Sequence, residues 1–218
     1  MEWTIPKQWE NQTCYIFGGG WSLKQVDISP FLGKNIIGVN NSYVLLPSIQ
    51  FCWFGDYRWY GWNEENITRR RLSSSSPIEF VSCHARFTKH PVVKCVRRRG
   101  NSGISSTQGE VCWNFCSGFS AINFAYHLGV KTIILVGFDM RPNPNKGEGN
   151  NWHKEHQTAK TISERTALHN PYPLFLKATN VIKRDADSLG LTILNATEGS
   201  AIPNEVFEHI TIKRALEL

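Results

Sequence analysis

The chain has 218 residues, 41% of them hydrophobic and 19% charged, which suits a globular fold with a substantial core and excludes a disordered chain. Its net charge of +6 is uneven: residues 69–99 hold nine Lys/Arg against one acid, Glu79, and the remainder is slightly acidic. A local basic excess of that kind points to a polyanionic partner or a phosphate-bearing substrate, the alternative being a solvated basic loop. No apolar run is long enough for a membrane span, and the start, Met1-Glu-Trp-Thr-Ile-Pro6, has no secretory pattern, so a cytoplasmic place is expected. The six cysteines have no disulfide-scaffold spacing and read as reduced, mostly buried thiols.

Residues 1–13 read as an edge arm with Trp3 and Trp9 to bury. Tyr15, Ile16 and Phe17 form an apolar strand that runs into Gly18-Gly19-Gly20. Ser22 and Gln25 fit a capping box, which predicts a helix from about 22 to 32 whose N-terminus suits a phosphate. A plain tight turn is the alternative. Strands follow at 34–39, ending in Asn40-Asn41, and at 49–54, ending in Gly55-Asp56. Residues 57–76, with Arg69-Arg70-Arg71 and the serine run 73–76, read as a surface loop. Short strands are predicted at 78–81 and 92–96. Cys83, His84, His90 and Cys95 nearby do not match zinc spacings. Arg97-Arg98-Arg99-Gly100 reads as a second basic loop.

A helix over 115–129 carries an apolar stripe, with Ser117-Gly118 at its start and Gly129 as the residue that ends it. The strand 131–136 ends at Gly137-Phe138-Asp139, and a Pro/Gly/Asn-rich loop leads to Trp152-His153-Lys-Glu-His156. A helix over 173–189 and a strand over 191–194 complete the pattern, followed by a short helical tail. Strands alternating with helices predict an α/β fold: a Rossmann-like, mostly parallel sheet with helices on both faces, in one domain over 1–218 with a basic insert at about 57–110. In such sheets ligands bind beyond the carboxyl ends of the strands, where the glycine turn, Asn40, Asn41, Asp56 and Asp139 fall.

A dinucleotide fingerprint would have glycine at Leu23 and an acid where Asn40 and Asn41 stand, and there is no Walker A loop. Amide side chains opposite a glycine turn fit a nucleotide held by neutral hydrogen bonds. Four segments then form an ordered set: Phe17-Gly-Gly-Gly-Trp-Ser-Leu-Lys24, Gly38-Val-Asn-Asn-Ser-Tyr43, Cys116-Ser-Gly-Phe-Ser-Ala121 and Ile134-Leu-Val-Gly-Phe-Asp139. The set is similar to bacterial lipooligosaccharide sialyltransferases, whose CMP-sugar site uses a G-N-G-P-S-L turn. With Trp152-His-Lys-Glu-His156 and Asn195-Ala-Thr-Glu-Gly-Ser-Ala-Ile202 it also resembles phage-encoded proteins related to the 6-hydroxymethylpterin diphosphokinase-like family. The match covers 14–56 and 115–202. It departs from the sialyltransferases at Gly19 (their asparagine), Trp21 (their proline) and Cys116 (their threonine or asparagine).

The resemblance implies a glycosyltransferase-like enzyme that moves a sugar from a nucleotide-sugar donor, CMP-linked among the candidates, to a hydroxyl acceptor. It places the donor at Gly18, Gly19, Gly20, Ser22, Asn40, Asn41, Ser117 and Gly118. Catalysis falls to His153 or His156 as general base, with Asp139 holding the ribose or orienting a histidine. No cofactor is required. A divalent metal on His153, His156 and Asp139 is an option the sialyltransferases, which work without metal, do not favour. Arg69, Arg70, Arg71, Arg97, Arg98 and Arg99 would contact the acceptor, nucleic acid or a phosphorylated glycan, and the chain could oligomerise. Phage origin would place it in the host cytoplasm. Two alternatives stay open: a pterin-type ATP diphosphokinase, which needs Mg²⁺ and carboxylates, and a non-catalytic nucleic-acid-binding or virion-assembly protein. His127 and His169 receive no role.

Overall fold

The structure is a computed structural model that describes residues 3–72, 78–145, 148–153 and 170–218. Eight parallel strands form one sheet: β1 (Thr13–Phe17), β2 (Ile36–Val39), β3 (Phe51–Phe54), β4 (Glu79–Ser82), β5 (Val93–Cys95), β8 (Thr132–Val136), β9 (Thr192–Asn195) and β10 (Glu208–His209). Their spatial order is β10-β9-β8-β1-β2-β3-β4-β5, and β6 (Arg97–Gly100) pairs with β7 (Glu110–Cys112) in a small second sheet. Parallel strands need crossovers, and the main helices supply them: α1 (Tyr57–Leu72), α2 (Ser117–His127), α3 (Tyr172–Leu176) and α4 (Thr179–Ser188), with α5 (Ile212–Leu216) closing the chain.

The strands are apolar on both sides because both faces are covered. Cys14, Ile16, Ile37, Val39, Phe51 and Trp53 pack against α2 and α4 through Phe119, Ile122, Phe124, Ile182 and Ala186. The alternate residues Tyr15, Phe17, Ile36, Cys52 and Phe54 pack against α1 and α5 through Trp59, Tyr60, Ile67 and Ala215. Phe124 stacks on Trp53 at 5.1 Å and meets Phe51 edge-on at 5.2 Å. The Trp53 indole donates to Ser120 Oγ at 2.7 Å, which ties the first turn of α2 to the sheet. The α/β, Rossmann-like reading of the sequence is correct.

Several local expectations need correction. Residues 57–72 are a 16-residue helix, not a loop. Its buried positions, Trp59, Tyr60, Asn63 and Ile67, have helical spacing, and the polar Asn63 in that stripe hides the pattern. The arginine triplet 69–71 forms its last turn, where cations complement the helix dipole. The serine run lies outside the described residues. The helix expected over 22–32 is instead two 3₁₀ turns, Trp21–Gln25 and Ser29–Phe31. Asp27 Oδ1 accepts from the Ser29 N–H and hydroxyl, and Pro30 has no N–H to give, so the chain turns rather than continuing. The helix expected over 173–189 breaks at Lys177–Ala178, where the Thr179 hydroxyl bonds Leu176 O at 2.8 Å. The second arginine triplet is strand β6, not a loop. The stretch 57–110 thus contributes α1, β4 and β5 to the main layers as well as β6.

Candidate functional site

The sheet order reverses between β1 and β8: β2 lies on one side of β1, and the later strands β8 and β9 lie on the other. Loops leaving the two strands diverge there and open a crevice at their carboxyl ends. A cleft of about 360 Å³ occupies that place. Its walls are Gly18–Gly20 after β1, Asn40 after β2, Asp56 after β3, Ser117–Gly118 at the start of α2, and Gly137–Met140 after β8. Trp113, Asn150, Asn151 and Phe175 line it as well.

The glycines are small for reasons of space. None of the three has a positive φ. A Cβ on Gly18 would lie 2.5 Å from Gly137 O, and one on Gly20 would lie 1.7 Å from Asp139 Oδ2. The loop after β8 therefore presses directly on the turn. The Gly18 N–H donates to Val136 O at 2.8 Å and the Gly20 N–H to Gly137 O at 2.9 Å, which leaves Gly19 as the one N–H of the three without a partner among the described residues. The expectation of a helix N-terminus here fails. Ser22 is not a cap: it is buried in the 3₁₀ turn, and its hydroxyl donates to Asp139 Oδ2 at 3.0 Å. The helix that does begin at the cleft is α2, eleven residues long, whose first N–H groups lie at Ser117 and Gly118. Cys116 caps it by accepting from the Phe119 N–H at 3.3 Å, and burial pushes its thiol up to about 12. Gly118 is needed because a Cβ would meet the Phe138 ring at 2.8 Å.

Two oxygens on these walls are buried and without a hydrogen bond among the described residues, Asn40 Oδ1 and Asp139 Oδ1. Asp139 is 2% exposed. Burial pushes its carboxyl up from the ordinary value, against the lowering pull of the Ser22 hydroxyl, the Ser22 and Asp139 N–H groups and the Arg141 guanidinium. Strain gathers at the same rim, since Asn40 (φ 51°), Phe115 (φ 60°) and Met140 (φ 50°) all line the cleft in the left-handed region.

A second cleft, about 440 Å³, lies beyond Asn41 and holds His153, Trp152, Arg69 and Arg70. The Trp59 indole donates to Asn41 Oδ1 at 2.7 Å, which fixes the amide so that Asn41 Nδ2 donates to His153 Nδ1 at 3.0 Å. An indole nitrogen can only donate, so the assignment is unambiguous. His153 Nδ1 is thereby an acceptor, and in the neutral ring the hydrogen sits on Nε2. The segment 150–153 is latched onto the glycine turn: Trp152 N donates to Gly19 O, and its indole donates to Ser42 Oγ, which in turn bonds Gly18 O.

The structure thus brings Gly18, Gly19, Gly20, Asn40, Ser117, Gly118 and Asp139 to one cleft and places Asn41 and His153 in the neighbouring one. His156 lies outside the described residues, as does His169. The arginines do not form one patch. Arg69 pairs with Glu65 at 2.7 Å and Arg70 donates to Pro47 O, while strand alternation turns Arg97 and Arg99 onto Glu110 and Arg98 onto the Trp113 ring. Among the described residues no three His, Cys, Asp or Glu side chains gather as a metal site. His127 is structural, bonded at 2.7 Å to Glu110 O and kept below its ordinary pKa by burial. The sequence reading missed Trp59, whose spacing to Ile67 was a signal, and Trp113, whose fit over Gly55 has none.

No family model and no curated protein sequence matches the chain. A solved structure does. The fold is shared with a sialyltransferase. That protein, CstII from Campylobacter jejuni, was determined in complex with a substrate analogue, cytidine-5'-monophosphate. The two chains are 13% identical, the match covers 91% of this chain and 84% of the other, and the TM-score is 0.50. The shared architecture is an α/β fold with a mostly parallel sheet.

Proposed function

We propose that the protein is a glycosyltransferase-like enzyme that binds a nucleotide sugar in the glycine cleft, with CMP among the candidate nucleotides, and transfers the sugar to a hydroxyl acceptor. The observation that carries this reading is the pair of buried, unpartnered acceptors, Asn40 Oδ1 and Asp139 Oδ1, on the walls of one switch-point cleft. Buried acceptors of that kind are costly unless a ligand donates to them. Ribose hydroxyls and a base amino group donate; a phosphate does not. The phosphate belongs instead at the Gly19 N–H and the first turn of α2. The CMP complex of the sialyltransferase supports the same choice of ligand.

In this reaction the acceptor oxygen forms a bond to the anomeric carbon, and the bond from that carbon to the phosphate oxygen breaks. The electron pair leaves with the nucleotide, and the hydroxyl proton passes to a base. The N–H groups, rather than a divalent cation, balance the charge on the leaving phosphate. His153, whose Nδ1 accepts from Asn41, enters as a hydrogen-bond donor, which leaves His156 open to the base role. The test is titration of the purified protein with CMP-, UDP- and GDP-sugars, repeated with Asn40→Ala. Saturable binding to one of them that weakens in the variant is expected. Binding to none, or binding that the variant leaves unchanged, refutes the reading.

A further inference from the structure

A larger cleft, about 780 Å³, lies beside the β5 edge of the sheet and is separate from the donor cleft. It is lined by Lys89, Lys94, Arg97 and Arg98, with Glu110 the one carboxylate among the described lining residues. Glu110 is already held, Arg97 lying 3.3 Å and Arg99 3.4 Å from its oxygens. Lys89 and Lys94 therefore have no carboxylate partner among the described residues. On β5, Val93 turns into the core beneath α1, so Lys94 projects on the opposite side, into the cleft. His90 accepts at Nδ1 from the Val92 and Val93 N–H groups, so its neutral ring carries hydrogen on Nε2 as a further donor. Thr4, Thr88 and Gln108 add neutral polar groups.

This cleft adjoins the donor cleft at one point. Arg98 lines the basic cleft, Trp113 lines the glycine cleft, and the Arg98 guanidinium lies 5.5 Å from the centre of the Trp113 ring. The ring is fixed in place by Gly55, where a Cβ would come within 1.8 Å of it. A ligand seated among the lysines and extending past Arg98 would reach the Trp113 ring and, beyond it, the glycine cleft.

We propose that the basic cleft is the acceptor subsite and that the acceptor is an anionic oligosaccharide, bearing phosphate, sulfate or carboxylate groups, laid across Trp113 toward the glycine cleft. Its role in transfer rests on the donor reading above; its binding does not. The lining favours a sugar over nucleic acid. Single strands are held by successive aromatic platforms, and this cleft offers one indole of its own, Trp3, among hydroxyl and amide groups.

The experiment applies labelled wild-type protein and the Lys89→Ala/Lys94→Ala variant to an array of neutral, phosphorylated, sulfated and carboxylated glycans. A single-stranded DNA oligomer and CMP-, UDP- and GDP-sugars are titrated alongside. Lys89 is exposed and Lys94 partly so, so the variant should melt with the wild type. Anionic glycans should bind, weaken with added salt, and lose about tenfold in affinity in the variant, while nucleotide-sugar affinity stays the same. Absence of anionic-glycan binding, equal binding of neutral glycans, affinity unmoved by the double substitution, or DNA bound more tightly than every glycan would each overturn the proposal. Failure of CMP-, UDP- and GDP-sugars alike to bind either protein, with anionic-glycan binding still lost in the variant, removes the donor reading and leaves the ligand class of the cleft standing.

Discussion

Asp139→Asn is the substitution that most directly separates a ligand site from a packing accident. Asp139 is a carboxylate at 2% exposure with one oxygen bonded to Ser22 and the other without a hydrogen bond among the described residues. Burying that charge costs stability, and the raised pKa reports the cost. A group whose folded pKa is raised adds to stability below its unfolded pKa and loses that contribution as pH rises through the folded value. The neutral amide escapes this loss and can still accept from Ser22. At neutral pH the variant should therefore melt higher than the wild type. The advantage should vanish below the ordinary carboxylate range, where wild-type Asp139 is itself protonated. Ligand affinity should move the other way. Losing a hydrogen bond to a charged acceptor removes about 1.5–3 kcal/mol, which is on the order of tenfold to a hundredfold in Kd. Melting scans across pH and CMP titration calorimetry read both effects. A variant that melts lower at neutral pH and binds CMP as well as the wild type would refute the argument that Asp139 is held for a ligand.

Three further outcomes follow from the same geometry. Gly20→Ala should cost about 1–3 kcal/mol in denaturant unfolding, because its Cβ would lie 1.7 Å from Asp139 Oδ2 and 2.6 Å from Gly137 O. Gly19→Ala meets only Asn151 Oδ1 at 3.4 Å and should stay within about 0.5 kcal/mol; equal losses would contradict the spatial account of the turn. The Cys116 thiol, pushed up to about 12 by burial, should escape alkylation in native protein at neutral pH and label only after denaturation, as peptide mass spectrometry would show. Trp59→Phe deletes the donor that fixes the Asn41 amide, so ring ¹⁵N spectra should show His153 as a single Nε2–H tautomer in wild type and as a mixture in the variant. An unchanged His153 spectrum would mean that Asn41 is oriented by something else.

The parallel sheet was readable because its strands are continuous apolar runs closed by Gly, Asn or Asp, and both faces of such strands must be buried. Rim residues follow from strand ends, so Asn40 and Asp139 could be placed from the sequence, while Ser117, at a helix start, was placed only by the resemblance. The mechanism of the glycine turn could not. A run of three glycines beside Ser22 looks like a phosphate loop, yet Gly18 and Gly20 answer to Gly137 and Asp139, which lie more than a hundred residues away. No local pattern reports so distant a neighbour. The helix α1 was hidden for another reason: its buried face includes Asn63, whose amide is satisfied by Trp59 O at 2.8 Å, and a polar residue in that position breaks the apolar period. The arginine triplets misled because residues adjacent in sequence point apart on a helix or strand.

Several polar groups buried away from the cleft are satisfied: Asn123 Oδ1 accepts from Ser105 and Cys112, Asn114 bonds both backbone groups of Gly103, and His127 holds Glu110 O. Others, such as Glu79 Oε2 and Trp21 Nε1, are left without a hydrogen bond among the described residues, as are two oxygens at the cleft. Among the described residues, Asn40 and Asp139 each keep an unpartnered oxygen, and three of the five non-glycine residues with positive φ line the same walls. Strain of that kind costs on the order of 1–3 kcal/mol per residue and persists only where the surroundings impose it. Packing alone gives no reason for orphaned acceptors and strained backbone to coincide at the topological switch point. On the reading proposed above, a ligand that donates to Asn40 Oδ1 and Asp139 Oδ1 gives both acceptors a partner.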